Sequence, residues 1–475
     1  MIDPSLFIAA ATLAASPIQL DGDFYDWAPQ GDAPALTAAC TRDHVFLHLT
    51  LDGPPVNLQG LDAPLTLSLN WDNDTSTSLP AADPAGTDVE IVFSPRSGRR
   101  TGGIAVKVPD RSSETWDAAG LVFSPTAAAS AFELRLDRTV AGIDAASTIP
   151  WTLRREGDLA VSGDAPIGPQ RPGPPQHMTA LPVKPPNAVR VVTWNLEFGN
   201  LVKQSAVTRR LLAALQPDVL LLQEIERGQT ESALMAVIEA AGGDWTLELG
   251  PLGGSIRSGI ASRLPAQRVE AFDNLKRRGE SRGHVRAAAL TIDFPDVGRV
   301  LAVSAHLKCC GVVDGPEDMK RIGEVLAIRR AVQHAEQSND VVGLIIGGDL
   351  NLVGGSLPLD LLVAGGEALI LDDSERDLRI IEAWQPDGSG LQTWQKPGQS
   401  YSPGRLDYIV VSPQTLAPVF AAVFDTLDLP EPSLREMNLV RTDAGRASDH
   451  LPVVVDLVPV NLVPVDPGSA TAGAP

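Results

Sequence analysis

Val341-Val-Gly-Leu-Ile-Ile-Gly-Gly-Asp-Leu-Asn351 is the stretch that decides the fold of this chain. Its aliphatic run, bounded by glycine, predicts a short strand buried on both faces. The strand ends at Asp349 and Asn351, whose side chains point the same way on an extended backbone because they lie two residues apart. A carboxylate and an amide at the end of a buried strand indicate a reaction site. A plain Gly-Asp turn is the alternative that this segment alone leaves open.

Two further segments have the same pattern of an apolar strand followed by polar side chains. Residues 188–197 and residues 217–225 are apolar runs that end in polar side chains, the first at Asn195 and Glu197 and the second at Glu224. Residues 206–215, between them, have helical spacing. Regular alternation of strands and helices predicts a mixed α/β architecture after residue 187.

The chain before residue 160 has a different pattern. Short alternating strands at residues 45–51, 65–70, 88–93 and 131–136 occur without a convincing helix between them, which predicts an all-β sandwich over residues 18–160. Residues 161–187 are rich in proline and lack periodicity, so we predict an extended linker with few contacts. We therefore expect a chain that begins near Pro185 to fold and to retain the full chemistry.

The predicted sandwich resembles family-9-like carbohydrate-binding modules at residues 18–27, 71–74 and 86–93. The resemblance implies a glycan partner and a role in attachment. Asp72, Asn73 and Asp74 are hard oxygen ligands that suit Ca²⁺, or they form a turn that satisfies its own backbone. A group of three tryptophans either stacks on sugar rings or belongs to the core: Trp27, Trp71 and Trp116. We favour the turn and the core.

Composition narrows the classes of function. The chain has 475 residues and a formal net charge of −21. Binding to a phosphate backbone usually requires a basic face, so tight nonspecific binding of nucleic acid is disfavoured. No apolar run reaches the ~20 residues of a membrane span. Residues 1–17 resemble a signal segment without its basic start, which favours export. We expect a monomer, with a disordered tail over residues 461–475.

The cysteines are too few for a disulfide scaffold. The chain has three, Cys40, Cys309 and Cys310. The adjacent pair forms a strained vicinal bridge, or one of the two bridges to Cys40, or both remain as free, buried thiols. We favour the free, buried thiols.

Six short motifs occur in order across the C-terminal part: residues 193–197, 218–224, 304–308, 348–351, 405–408 and 448–452. In this order they resemble the endonuclease/exonuclease/phosphatase superfamily, which has the deoxyribonuclease-I-like fold. The resemblance covers residues 188–460 and implies an α/β four-layer sandwich, in which two mixed β-sheets are flanked by helices. It also implies that the site lies at one end of the sheets.

Glu224 is the best candidate for a metal ligand, because it ends an apolar strand where an unpaired carboxylate is costly. The resemblance adds Asn195, Glu197 and Asp449 to the metal set. Oxygen ligands without cysteine or clustered histidine favour Mg²⁺ or Mn²⁺. The alternative for Glu224 is a salt bridge to a basic residue.

The resemblance also implies the groups that act on the phosphoester. Catalytic roles fall to His306, Asp349, Asn351, Asp407 and His450. Asp407 and His450 match a couple in which the carboxylate fixes the imidazole tautomer. Whether Asp349 or His450 removes the proton of water stays open. Lys308 and Arg286 are candidates for substrate binding; Arg286 ends the basic stretch of residues 276–286, which is otherwise a solvated loop.

Together these observations predict a metal-dependent hydrolase of phosphoester bonds, either a phosphodiesterase or a nuclease. The alternatives are a phosphomonoesterase or a lipid phosphodiesterase of the same fold, and a non-catalytic protein that binds a surface. Substrate class is open among DNA, RNA, lipid and small phosphoesters.

Overall fold

The computed structural model describes residues 16–27, 35–79, 84–109, 115–140, 148–156, 160–280, 283–364 and 378–462. The apolar segment over residues 6–15 and almost all of the predicted tail lie outside these ranges. Within them, no helix is long and apolar enough to cross a membrane.

The N-terminal part is built from two antiparallel sheets. One has the strand order β1-β2-β9-β8 and the other β11-β10-β3-β4-β7, while β5 and β6 form a separate short hairpin. The strands are β1 Ala35–Cys40, β2 His44–Thr50, β3 Leu65–Leu69, β4 Val89–Phe93, β5 Arg96–Ser97, β6 Arg100–Thr101, β7 Ile104–Lys107, β8 Val122–Ser124, β9 Ala131–Asp137, β10 Thr148–Arg155 and β11 Val161–Pro166. The alternation of apolar and polar residues predicted four of these strands, β2, β3, β4 and β9. The inward side chains of the two sheets form a core of their own.

The three tryptophans predicted either to stack on sugar or to pack inside are buried. Trp27, Trp71 and Trp116 are 5%, 0% and 6% exposed. None offers a ring to a ligand, so the core alternative is confirmed for them. A glycan partner stays a prediction, without this aromatic platform.

The Asx-rich turn is satisfied by its own residues. Asp72 accepts from the backbone N–H of Asp74 at 2.8 Å and from the Thr77 hydroxyl at 2.8 Å. Asp74 in turn accepts from the backbone N–H of Ser76 at 2.8 Å. These bonds are the expected Asx-turn pattern, so no cation is needed to explain the carboxylates.

The C-terminal part contains two six-stranded mixed sheets. Their strand orders are β14-β15-β13-β12-β23-β22 and β16-β17-β18-β19-β21-β20. The strands are β12 Val189–Asn195, β13 Val219–Glu226, β14 Thr246–Leu249, β15 Ile256–Ser262, β16 Ala266–Arg268, β17 Arg286–Phe294, β18 Gly298–His306, β19 Gly343–Asp349, β20 Arg379–Ile380, β21 Asp407–Val411, β22 Leu416–Val423 and β23 Val453–Pro459. Each sheet has one parallel pair, β12 with β13 and β18 with β19.

Helices cover the outer face of each of these sheets. They are α1 Asn200–Lys203, α2 Ser205–Leu215, α3 Glu231–Ile238, α4 Pro316–Ser338, α5 Leu357–Ala364, α6 Glu431–Glu436 and α7 Asp443–Ala447. One core lies between the sheets, a second packs one sheet against α4 and α5, and a third packs the other sheet against α2 and α3. The order helix, sheet, sheet, helix is the predicted four-layer arrangement.

Glycine brings β19 against its neighbours. Gly348 has a φ of +149°. A Cβ on this residue would lie 1.8 Å from the carbonyl oxygen of Ala305. No other residue fits there, because β18 and β19 pair in parallel with His306 opposite Asp349. The double glycine therefore places these two side chains at the same sheet end.

The proline-rich segment is tied to the rest of the molecule. Its first residues form β11, which pairs with β10. The backbone N–H of Arg171 donates to the carbonyl of Cys40 at 2.8 Å, and that of His177 donates to the carbonyl of Pro386 at 2.9 Å. The side chain of Met178 is buried, at 4% exposed. The prediction that this segment carries few contacts is wrong, because backbone and side-chain bonds hold it despite its composition.

Glu133, on β9, is fully buried. It accepts hydrogen bonds from the Trp27 indole at 2.9 Å and from the backbone N–H of Gly22 at 3.1 Å. Burial raises the pKa of Glu133 to about 9, far above its ordinary value of 4.5. The folded protein therefore holds this proton at a pH where the unfolded chain releases it.

We expect the free energy of unfolding to fall as pH rises from about 4.5 to about 9, because the contribution of Glu133 is complete below its unfolded pKa and is lost toward its folded pKa. Urea unfolding of the wild type and of Glu133→Gln at pH 5, 7 and 9 measures it. The variant should show the shallower decline, whatever its absolute stability. Equal slopes would mean that Glu133 is ionised in the folded protein.

Candidate active site

The Asp349 carboxylate lies where the ends of several strands meet. It is 2% exposed. Its Oδ2 accepts a hydrogen bond from Asn195 Nδ2 at 2.9 Å and lies 3.4 Å from His306 Nε2 and 3.8 Å from His450 Nε2. Its Oδ1 accepts from the backbone N–H of Asn351 at 3.0 Å. Residues that are far apart in sequence thus converge on one carboxylate, as predicted for the catalytic set.

Burial raises the pKa of Asp349 to about 7, and the imidazole of His450 opposes this rise. A carboxylate with a pKa near neutrality is suited to accept a proton from water.

Asp407 and His450 form the predicted couple. His450 Nδ1 lies 2.8 Å from Asp407 Oδ2. Burial lowers the pKa of His450, but the carboxylates of Asp407 and Asp349 outweigh burial and raise it to about 10. At neutral pH the ring is therefore an imidazolium, with Nδ1–H donated to Asp407 and Nε2–H directed toward Asp349.

His306 is the neutral histidine of the site. Burial first, and the nearby Arg286 charge second, hold its pKa well below 6.5. Its Nε2 lies near the carboxylates of Asp349 and Glu224, at 3.4 and 3.8 Å. We assign the proton of the neutral ring to Nε2, because beside two carboxylates only an N–H donor is favourable. Its Nδ1 is buried and accepts no hydrogen bond from the described residues.

Glu224 and Asp349 provide oxygen atoms that suit a cation. One oxygen of each, together with a ring nitrogen of His306, lies within 4.8 Å of the others. Glu224 accepts from Asn195 Nδ2 at 3.4 Å and from the backbone N–H of Phe198 at 2.8 Å. Within the described ranges, neither carboxylate pairs with a lysine or an arginine, so the salt-bridge alternative for Glu224 finds no basic partner there. Hard oxygen donors without a lysine or arginine partner fit a divalent cation such as Mg²⁺.

The other two predicted metal ligands, Glu197 and Asp449, bond to a lysine. Glu197 and Asp449 share the ammonium of Lys396, which lies 3.2 Å from Asp449 Oδ2 and is also bonded to Glu197 Oε1. Both carboxylates raise the pKa of Lys396. A cation bound by either carboxylate would compete with Lys396. The structure thus separates the predicted metal set into two groups.

Neither predicted substrate-binding side chain is free. Arg286 donates from Nε to the carbonyl of His306 at 3.2 Å and from Nη2 to that of Leu307 at 2.6 Å. Its guanidinium therefore fixes the end of β18, because two of its three nitrogens are committed to backbone oxygens. Lys308 Nζ lies 3.3 Å from Cys309 Sγ.

The adjacent cysteines are free thiols, and Cys310 is exposed. A hydrogen bond from Cys310, with help from the Lys308 charge, lowers the pKa of Cys309 to about 5. The expectation that both thiols are buried is wrong for Cys310. The free-thiol alternative itself is confirmed.

The backbone around the site is strained. Four non-glycine residues adopt left-handed conformations: Glu197, Phe198, Glu224 and Asn351, with φ values of +34°, +51°, +58° and +50°. Such conformations cost of order 1–3 kcal/mol each and cluster at functional sites. The strain marks the same strand ends that carry the polar side chains.

Three further residues support the site without having been predicted. Thr393 donates its hydroxyl to Asp407 Oδ2 at 2.7 Å. Ser448 donates to the carbonyl of Asn195 at 2.7 Å and accepts from the backbone N–H of His450 at 3.1 Å. Lys396 is the third. Ser448 stands inside the Ser-Asp-His motif and could have been found there, but no pattern in the sequence marks the other two.

Comparison with known proteins agrees with this geometry. Residues 192–450, more than half of the chain, match the Endonuclease/Exonuclease/phosphatase family. The chain belongs to this family. Its members are phosphoester hydrolases, and the chain is accordingly assigned phosphoester hydrolase or nuclease-like activity. No curated protein matches the chain.

Several solved structures have similarity to the chain over the same region. One is D. rerio TDP2 complexed with single-strand DNA product, at 16% identity and a TM-score of 0.37, covering 57% of this chain and 98% of that one. Another is the 3′-5′ exonuclease NExo from Neisseria meningitidis, at 18% identity and a TM-score of 0.38, covering 57% and 100%. A third is ANGEL2, a 2′,3′-cyclic phosphatase, at 14% identity and a TM-score of 0.39, covering 58% and 96%.

The contact between Asp407 and His450 predicts non-additive kinetics. We expect His450→Gln to lower kcat by about 10²-fold or more, the usual scale of acid–base help. Asp407→Asn should be similarly slow, because the imidazole loses its charge and its orientation. The double variant should be no slower than the slower single variant. Steady-state hydrolysis of a soluble phosphodiester measures all three, with the exposed His334→Gln as control. A double variant slowed by the product of both effects would show that the residues act independently.

Proposed function

We propose that the protein is a metal-dependent phosphodiesterase in which Asp349 accepts a proton from the attacking water. The observation that carries the proposal is the contact between the buried Asp349 carboxylate and the two histidines, one charged and one neutral. Its pKa of about 7 lets the carboxylate receive a proton near neutral pH.

His450 is proposed to stabilise the negative charge that develops on the phosphoryl oxygens. Its imidazolium is held by Asp407 on one nitrogen and leaves the other directed at the reaction site. Fixed charges in a site from which water is excluded act more strongly than in solution. His306 is proposed to donate from Nε2 to the phosphoryl group or to the leaving oxygen, and Asn351 to orient the phosphoryl oxygen.

Glu224 is proposed to hold the cation, as Mg²⁺ or Mn²⁺. Asn195, whose Nδ2–H faces Glu224 and Asp349, is proposed to orient these carboxylates rather than to bind the cation. When bound there, a divalent cation neutralises phosphate charge. Support comes from the pair of carboxylates that lacks a lysine or arginine partner within the described ranges. Without a cation, two close carboxylates in a partly buried site repel each other and desolvation adds to the cost.

The substrate is proposed to be a phosphodiester, because activating water at a diester uses every residue in the matched set. Enzymes of this fold that act on a monoester or a lipid diester are expected to share these catalytic residues and to differ in their surface loops. Hydrolysis rates on DNA, RNA, phospholipid and sugar phosphate separate these branches. A protein inactive on all of them with every cation would support the non-catalytic alternative.

Glu224→Gln tests the proposed cation site with two readouts. We expect turnover of bis-p-nitrophenyl phosphate with Mg²⁺ or Mn²⁺ to fall at least about 10²-fold, and chelator to abolish it in the wild type. Independently of activity, Mn²⁺ binding followed by electron paramagnetic resonance should weaken about 10-fold or more.

Glu226→Gln is the matched control, since Glu226 lies on the same strand and pairs with Lys203 at 2.9 Å. It should change neither readout. If Glu224→Gln binds Mn²⁺ as tightly as the wild type, the assignment of the cation site is wrong.

A further inference from the structure

The loops that flank the catalytic strand ends contact the N-terminal sandwich. The first, residues 352–355, follows Asn351. The second, residues 393–405, precedes Asp407 and is called the bridging loop below. Residues of the sandwich bond directly to the backbone of both, so the site is held from outside its own family domain.

The first loop bonds to two residues of the sandwich. Asn57 donates from Nδ2 to the carbonyl of Val353, and the backbone N–H of Ala128 donates to that of Gly354 at 2.8 Å. The same Nδ2 also donates to the carbonyl of Thr126 at 3.4 Å. Asn57 therefore links this loop to Thr126, which itself contacts the bridging loop.

The bridging loop receives more bonds from the sandwich. Two of its backbone N–H groups donate to sandwich side chains. That of Ser402 donates to Gln59 Oε1 at 2.8 Å, and that of Arg405 donates to Thr126 Oγ1 at 2.9 Å. The carbonyl of Ser400 accepts from Ile104 at 2.6 Å. The tip of the loop is thus held mainly by residues that precede the proline-rich segment.

A short path runs from Thr126 to the catalytic couple. The backbone N–H of Thr393 donates to the carbonyl of Gly404 at 3.0 Å, next to the residue that Thr126 holds. Thr393 Oγ1 accepts from the backbone N–H of Asp407 at 2.9 Å and donates to its carboxylate at 2.7 Å. Displacing the bridging loop would therefore turn the carboxylate that orients His450.

We propose that the N-terminal sandwich positions the hydrolytic site, with Asn57 and Thr126 as positioning residues that act through the two loops. The inference rests on the proposed function, and it replaces the expectation that the chemistry is separable at Pro185. That expectation considered only where the catalytic residues lie in sequence. It omitted the backbone bonds that the catalytic loops receive from the sandwich.

Thr126→Val tests the inference in the full-length protein. Valine keeps the volume of threonine but removes the acceptor for the Arg405 N–H. We expect kcat on a soluble phosphodiester to fall about 10- to 10²-fold, since small misplacements of catalytic groups cost this much. KM should change less than about threefold, because Thr126 contacts no proposed substrate group. Thr126→Ser retains the acceptor and should restore the rate.

A spectroscopic readout separates this inference from the proposed function. The Nδ1–H proton of His450, bonded to Asp407, should give a low-field resonance in ¹⁵N-histidine-labelled protein, assigned by its loss in His450→Gln. We expect this resonance to shift or broaden in Thr126→Val and to stay in place in Thr126→Ser.

The control is Thr87→Val, which removes a different hydroxyl of the sandwich, bonded to the carbonyl of Pro84 at 2.6 Å. It should change neither kcat nor the resonance. An unchanged resonance and kcat in Thr126→Val, or equal changes in Thr87→Val, would overturn the inference. Absence of hydrolysis in every variant would instead contradict the proposed function, while the resonance still decides whether the sandwich positions His450.

Discussion

The buried carboxylate of Asp349 is the constraint on which the rest of the site depends. A carboxylate that is 2% exposed is costly unless donors surround it. The donors come from Asn195 at the end of β12, His306 at the end of β18 and His450 before β23. Because each nitrogen must lie within a few ångströms of one carboxyl group, the two sheets have a fixed offset. Within one of these sheets, Gly348 allows the close approach of β19 to β18 that places His306 beside Asp349.

Much of the fold could be predicted because its signals are local. Apolar periodicity and strand-ending polar residues predicted the mixed sheets, and the order of the motifs predicted the side chains that meet at Asp349. Lys396 and Thr393 could not be predicted, since they lie on a loop without periodicity, and Lys396 contacts Glu197 across 199 residues of sequence. The backbone contacts of Arg286 could not be predicted, because charge in a sequence does not reveal whether a guanidinium faces solvent or backbone carbonyls.

The contacts of the N-terminal sandwich differ from those expected of an attachment module. Its tryptophans pack inward, while Gln59 and Thr126 bond to the loop that leads to Asp407. The family machinery therefore depends on a sheet structure that the family match does not include. In these bonds a backbone N–H of the bridging loop donates to a side chain that is distant in sequence, so neither composition nor periodicity reveals them.

Asp349→Asn is the decisive variant, because the buried charge of Asp349 is proposed to serve catalysis rather than folding. Turnover of a soluble phosphodiester and the Tm are measured for the full-length variant, with Asp360→Asn on α5 as control. We expect at least about a 10²-fold loss of kcat with a Tm that moves by only a few degrees. A variant that retains most of its turnover, or one that no longer folds, would show that Asp349 does not have this role.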